Sequence, residues 1–178
     1  MTNHVHLLVT PNEEFAISRL MKDLGQHYVQ DFNRANARSG TLWEGRFHSS
    51  VIDSTQYLFT CHRYIELNPV RAQMVSHPAD HEWSSYCTNA HGSFSDLITP
   101  HPLYMALSDD GEERRRIYRG FFAKPLTEDE LTKIRQTISS GRALGGPVHS
   151  WALNTSVGLS PERLRHPRQR RAIALPAE

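Results

Sequence analysis

His4 and His6 stand two residues apart in Thr2-Asn3-His4-Val5-His6-Leu7-Leu8-Val9. The run is short and apolar, so it reads as a buried strand. Side chains two apart on a strand share a face. Both imidazoles would then project together, with Val5 on the opposite side. Two such rings on one rigid element can share a divalent metal ion. The plainer alternative is that two histidines decorate one sheet face. A second cluster of chemistry-bearing residues lies in Arg63-Tyr64-Ile65-Glu66-Leu67-Asn68-Pro69-Val70-Arg71. Leu58, Phe59, Ile65, Leu67, Val70 and Met74 recur at roughly helical spacing, which predicts a helix from Ser54 to Val75 capped by Asp53 or Ser54. Tyr64 and Asn68 are then one turn apart on one face. Pro69 lacks an N–H and disfavours the helical region at Asn68, so it bends or locally ends the helix. The alternative here is that Tyr64 packs and Asn68 caps the chain before the proline.

The elements that must hold these residues are modest. Thr10-Pro11-Asn12 reads as a turn. Phe15 to about Asn33 reads as an amphipathic helix with Ile17, Leu20, Met21, Leu24, Tyr28 and Phe32 on one stripe. Trp43 to Asp53 reads as extended. There Trp43, Arg46 and His48 combine aromatic and basic character, which suits base stacking and phosphate binding; Trp43 serves equally well as an apolar anchor of its loop. Ser76 to Gly92 is a polar, histidine-rich link, and the spacing of His77, His81 and His91 matches no structural-zinc pattern. Asp109 to Phe122 looks helical and basic. Thr127 to Ser140 is a helix opened by a capping box, Thr127 with Glu130. Val148 to Val157 is a candidate short helix. Residues 1–92 form the catalytic portion of this reading, and residues 93–178 a helical accessory region with a basic tail.

The motifs, taken together, resemble the single-tyrosine HUH transposases, and most closely the REP-associated tyrosine transposases. The matching stretches run in order: Met1 to Val9, Tyr28-Val29-Gln30-Asp31-Phe32-Asn33, Gly40-Thr41-Leu42-Trp43-Glu44-Gly45-Arg46-Phe47, Arg63 to Ala72, and Glu82-Trp83-Ser84-Ser85-Tyr86. The likeness is strong to about Tyr86 and weaker to about Gly145. Each motif alone is weak, and the ordered set is specific. The resemblance implies an α+β fold, an incomplete ferredoxin-like HUH domain with an antiparallel sheet and helices on one face, followed by a helical C-terminal region. It places His4 and His6 on the family's metal-binding pair, Tyr64 on its nucleophile and Asn68 on the polar residue that helps hold the metal. Trp43, Arg46, His48, Arg63 and Arg71 are the candidate DNA contacts. The implied cofactor is Mg²⁺ or Mn²⁺. The implied partner is single-stranded or hairpin DNA, as in repetitive palindromic elements, cut through a 5′-phosphotyrosine intermediate. In the family a strand, a helix and a further strand precede the histidine strand. The resemblance therefore implies that the N-terminal part of the catalytic domain is lacking, with an exposed edge at Val5 to Val9. A catalytically inactive DNA-binding remnant is the alternative to an enzyme. A helical regulator that uses Arg114 to Arg119 is a third reading, which the ordered motifs oppose.

Composition sets outer limits. The 178 residues suffice for one domain with an appendage. A formal net charge of +1 does not by itself advertise nucleic-acid binding. Arginines are concentrated near the C-terminus, at Arg163, Arg165, Arg168, Arg170 and Arg171, where they would add non-specific phosphate contacts. The two cysteines, Cys61 and Cys87, suggest no disulfide framework. No membrane-length apolar run or signal peptide is visible, and a cytoplasmic location is the expectation.

Overall fold

In the computed structural model, residues 1–52, 55–141 and 144 are described. The candidate helix cap at Asp53 or Ser54, the candidate helix from Val148 to Val157 and the C-terminal arginines lie outside them. The described chain is helical: α1 Ala16–Ala35, α2 Thr55–Glu66, α3 Asn68–Arg71, a 3-10 turn Pro78–Asp80, α4 Tyr86–His91, α5 Pro102–Met105, α6 Gly111–Gly120 and α7 Glu128–Ser140.

The expected antiparallel sheet of a ferredoxin-like domain is not there. Among the described residues there is no β-strand, and residues 4–9 take no regular structure. A single parallel bridge joins Ile52 to Leu144, with the Leu144 N–H donating to the Val51 carbonyl at 2.7 Å. Period-two alternation reports which face is covered. It does not supply the partner whose N–H and C=O groups make a ladder. The alternation itself survives in the exposures. Val5, Leu7 and Val9 are exposed, while His6 and Leu8 are half-buried. A helix, not a second strand, covers the His6 side, as the Tyr64 contact below shows.

The chain divides into two compact units. One holds Met1–Val9 with the described residues of 50–145, and its centre is α2. One face of α2 carries Tyr57, Cys61, Tyr64 and Ile65, which pack with Leu126, Leu131, Ile134 and Ile138 of the α7 region. Another face presents Phe59 to a second cluster of Tyr86, Ala90, Tyr104 and Tyr118. Positions 57, 61 and 64 and positions 59, 62 and 66 are the two stripes that helical periodicity makes available. Pro69 ends α2 as its missing N–H requires: Leu67 interrupts the helix, and α3 continues for one turn with Pro69 buried. At α7, Thr127 accepts from the Glu130 N–H at 3.2 Å, and the Glu130 carboxylate accepts from the Thr127 N–H at 2.8 Å. This is the capping box read from the sequence.

The polar link of residues 76–92 contains α4, and α4 ends at Gly92 with φ +76°. A Cβ there would lie 3.0 Å from Arg115 Nη1. Arg115 can swing aside, but the left-handed backbone remains unfavourable for any L side chain. Gly92→Ala is expected to cost about 1 kcal/mol, read as a fall of a few degrees in the thermal midpoint. An unchanged midpoint would show that this turn relaxes freely.

The other unit includes Thr10–Ser49. Its helix α1 buries no residue. Leu20, Leu24 and Tyr28 on the apolar stripe are all exposed. Across the described residues, no helix is long and apolar enough to cross a membrane.

Candidate active site

Tyr64 occupies the last full turn of α2 and is buried, 8% exposed. Its ring meets the His6 imidazole edge to face, with centroids 5.5 Å apart. His6 in turn meets His4 at 4.9 Å, at 82° between planes. Three residues separated by up to 60 positions thus form one cluster, with an exposed His4 at its outer edge. Burial lowers the His6 pKa, and the neighbouring His4 and the Arg71 cation add to the effect. The neutral ring that results keeps a lone pair for a proton or a metal ion.

His4 is oriented by its neighbour. Its Nδ1 lies 2.8 Å from Asn3 Oδ1. That oxygen only accepts, so the His4 proton belongs on Nδ1 and the lone pair on Nε2. Asn68, one turn past Tyr64, is half-buried. Its Oδ1 accepts from Arg71 Nη2 at 2.9 Å. Arg71 also donates Nη1 to the Tyr64 carbonyl at 3.2 Å, and its guanidinium carbon lies 4.5 Å from the Tyr64 ring centre. Arg71 therefore lies against the phenol on one side and the amide on the other. A guanidinium over an aromatic face is attracted by the ring quadrupole.

The donor set can be tested against a divalent ion. No group of three His, Cys, Asp or Glu side chains that could hold a metal occurs among the described residues. By donor type alone, two imidazoles with free ring nitrogens suit such an ion. Asn68 fits only through the lone pair that Arg71 leaves open, because an amide oxygen has two.

The other candidate contacts are placed differently. Arg63 donates Nη2 to the Lys124 carbonyl at 2.5 Å and approaches Glu130 at 3.9 Å, with its side chain 14% exposed. Its fork is directed at the protein. Trp43, in the other unit, donates Nε1 to the Gly25 carbonyl at 3.1 Å and lies 5.7 Å from the Tyr28 ring. It remains 43% exposed, so part of its face is open. Arg46 and His48 are exposed. Cys61 and Cys87 are free thiols, and burial pushes the Cys61 thiol up to about 11, which leaves it protonated and unreactive.

Sequence reasoning passed over Glu66. It is fully buried and accepts from Ser85 Oγ at 2.6 Å, Asn89 Nδ2 at 2.9 Å and Tyr118 Oη at 2.8 Å. Burial and the Glu66 charge together push the Tyr118 phenol far above its ordinary range, so it stays a donor. Glu66 sits two residues after Tyr64 and ties α2 to α4 and α6. The available signal was a carboxylate between Ile65 and Leu67, which at that position is either solvent-facing or fully satisfied.

No curated protein and no solved structure matches the chain. A family match does exist, over less than half of the chain, and it supports a transposase role in DNA transposition. The matched stretch holds His4, His6, Tyr64 and Asn68 together: residues 1–68 are similar to the family described as "Transposase IS200 like".

Proposed function

We propose that this chain cleaves and rejoins single-stranded, hairpin-forming DNA through a covalent 5′-phosphotyrosine on Tyr64, with Mg²⁺ or Mn²⁺ held by His4, His6 and Asn68. The observation that carries the reading is the His4–His6–Tyr64 cluster, inside the stretch that matches the transposase family. The Tyr64 hydroxyl oxygen attacks the scissile phosphorus, and a new O–P bond forms as the P–O3′ bond breaks. The phenol proton passes to water, and the departing 3′ oxygen gains a proton. Rejoining is the reverse, with a 3′-hydroxyl attacking the phosphotyrosine, so no nucleotide cofactor is required. A bound divalent ion supplies charge neutralisation at the phosphate oxygens. Arg71, whose guanidinium lies over the phenol ring, adds a second cation there.

A specific observation favours a second reading, a DNA-binding remnant without cleavage: the described residues form no sheet to stiffen the histidine segment. One experiment separates the two. Labelled single-stranded hairpin DNA is incubated with the protein and Mn²⁺, then denatured and resolved by mass. An adduct that forms with Mn²⁺ and is absent with EDTA supports the enzyme. Retention of DNA under native conditions with no adduct under any metal supports the remnant.

A further inference from the structure

An open cavity of about 460 Å³ lies beside the tyrosine motif, and nothing above uses it. Its lining is mostly apolar and includes Leu67, Val70, Phe122, Leu126 and Leu131. Two charged side chains join the lining, Arg71 and Glu128. Arg71 is the guanidinium already in contact with Tyr64 and Asn68. The cavity and the nucleophile therefore share a wall. Glu128 is exposed and makes no hydrogen bond or ion pair of its own among the described residues.

Building on the strand-cleavage reading, we infer that this cavity receives a nucleobase of the bound strand, next to the phosphate at Tyr64, and that guanine fits it best. The volume and apolar walls suit a flat aromatic ring that has left its stack. Phe122 adds apolar surface beside it. The two charges then discriminate. A carboxylate only accepts, and guanine presents two adjacent donors, N1–H and the N2 amino group, to it. A guanidinium only donates, and guanine presents O6 and N7 as acceptors. Thymine has one ring N–H to offer the carboxylate, and adenine and cytosine one amino group. A lipid or an apolar peptide would leave the Glu128 carboxylate without a partner.

The probe is a fluorescein-labelled dT12 strand, compared with the same strand carrying one internal dG, dA or dC, with EDTA present so that cleavage plays no part. Wild-type protein is expected to bind the dG strand about tenfold more tightly than dT12. Ala123→Trp fills the cavity from an exposed rim position, and Glu128→Gln replaces half of the acceptor pair with a donor. Each is expected to bind dT12 within twofold of wild type and to lose the dG preference. Equal affinity for all four strands overturns the inference, as does a dG preference that survives both variants. A preference for another base overturns the guanine assignment. An adduct in the Mn²⁺ assay without any base preference removes the cavity alone. A dG preference without any adduct removes the cleavage reading and leaves the cavity as a binding site. Failure to bind any strand removes both.

Discussion

Tyr64→Phe is expected to form no covalent DNA adduct while folding and binding DNA as the wild type does. The substitution removes one oxygen and keeps the ring. The contacts that hold the ring need only its faces and edge: His6 at 5.5 Å and the Arg71 guanidinium at 4.5 Å. The hydroxyl makes no hydrogen bond among the described residues, so its loss leaves no buried donor or acceptor stranded. Stability should therefore change by less than about 1 kcal/mol, read as a nearly constant urea midpoint. The chemical step has no such tolerance, because phenylalanine has no atom to bond to phosphorus. Adduct formation should fall by at least about 10³-fold, to background. Denaturing gels with end-labelled DNA measure it. An adduct that persists in Tyr64→Phe and disappears in Tyr28→Phe would move the role to Tyr28. The two tyrosines are far apart in character. Tyr28 is 51% exposed, on the apolar stripe of α1, and Tyr64 is buried beside the His6 imidazole.

What was legible in the sequence follows the range of the interaction responsible. The capping box of α7 involves residues three apart, and both halves are visible in Thr127 and Glu130. The break between α2 and α3 is a property of Pro69 and its two neighbours. The Tyr64–Asn68 spacing of one turn was readable from helical periodicity, whereas the contacts of Arg71 with both residues were not. The helix α1, read as Phe15 to about Asn33, runs Ala16–Ala35. Short helices are harder: α4, six residues long, is hidden in the polar link of residues 76–92, and α5 is four residues long, too short to show a helical period. The strand reading failed because alternation specifies a covered face and leaves the covering element open. His6 and Leu8 have that covered face without a ladder. The Arg63 fork was also beyond local reading, since its acceptor is the carbonyl of Lys124, 61 positions away.

Glu66→Ala is expected to be the most destabilising single change in the α2 region, and Glu66→Gln a mild one. Glu66 is at zero exposure, and its partners lie 19, 23 and 52 positions away. Removing the carboxylate strands the Ser85 hydroxyl and the Asn89 amide around a small void and leaves the Tyr118 phenol only His62. Stranding even some of these buried donors, together with the void, costs about 3 kcal/mol. The loss is not larger because the buried charge, itself expensive to desolvate, is removed as well. Glutamine retains one oxygen, which can still accept from Ser85 and Asn89. Its amino group then faces Tyr118 Oη, which can accept from it and turn its own proton to His62 Nδ1, 3.2 Å away. That reversal moves the His62 proton to Nε2, which is buried without a partner, so the cost is about 1 kcal/mol, well below the alanine loss. Urea unfolding followed by circular dichroism should give a much lower midpoint for Glu66→Ala at an unchanged slope, and a midpoint near wild type for Glu66→Gln. Because α2 also carries Tyr64, the adduct yield at a temperature where each variant remains folded should follow the same order. Equal midpoints for the two variants would show that loss of the carboxylate charge, and neither the void nor the stranded donors, governs the loss.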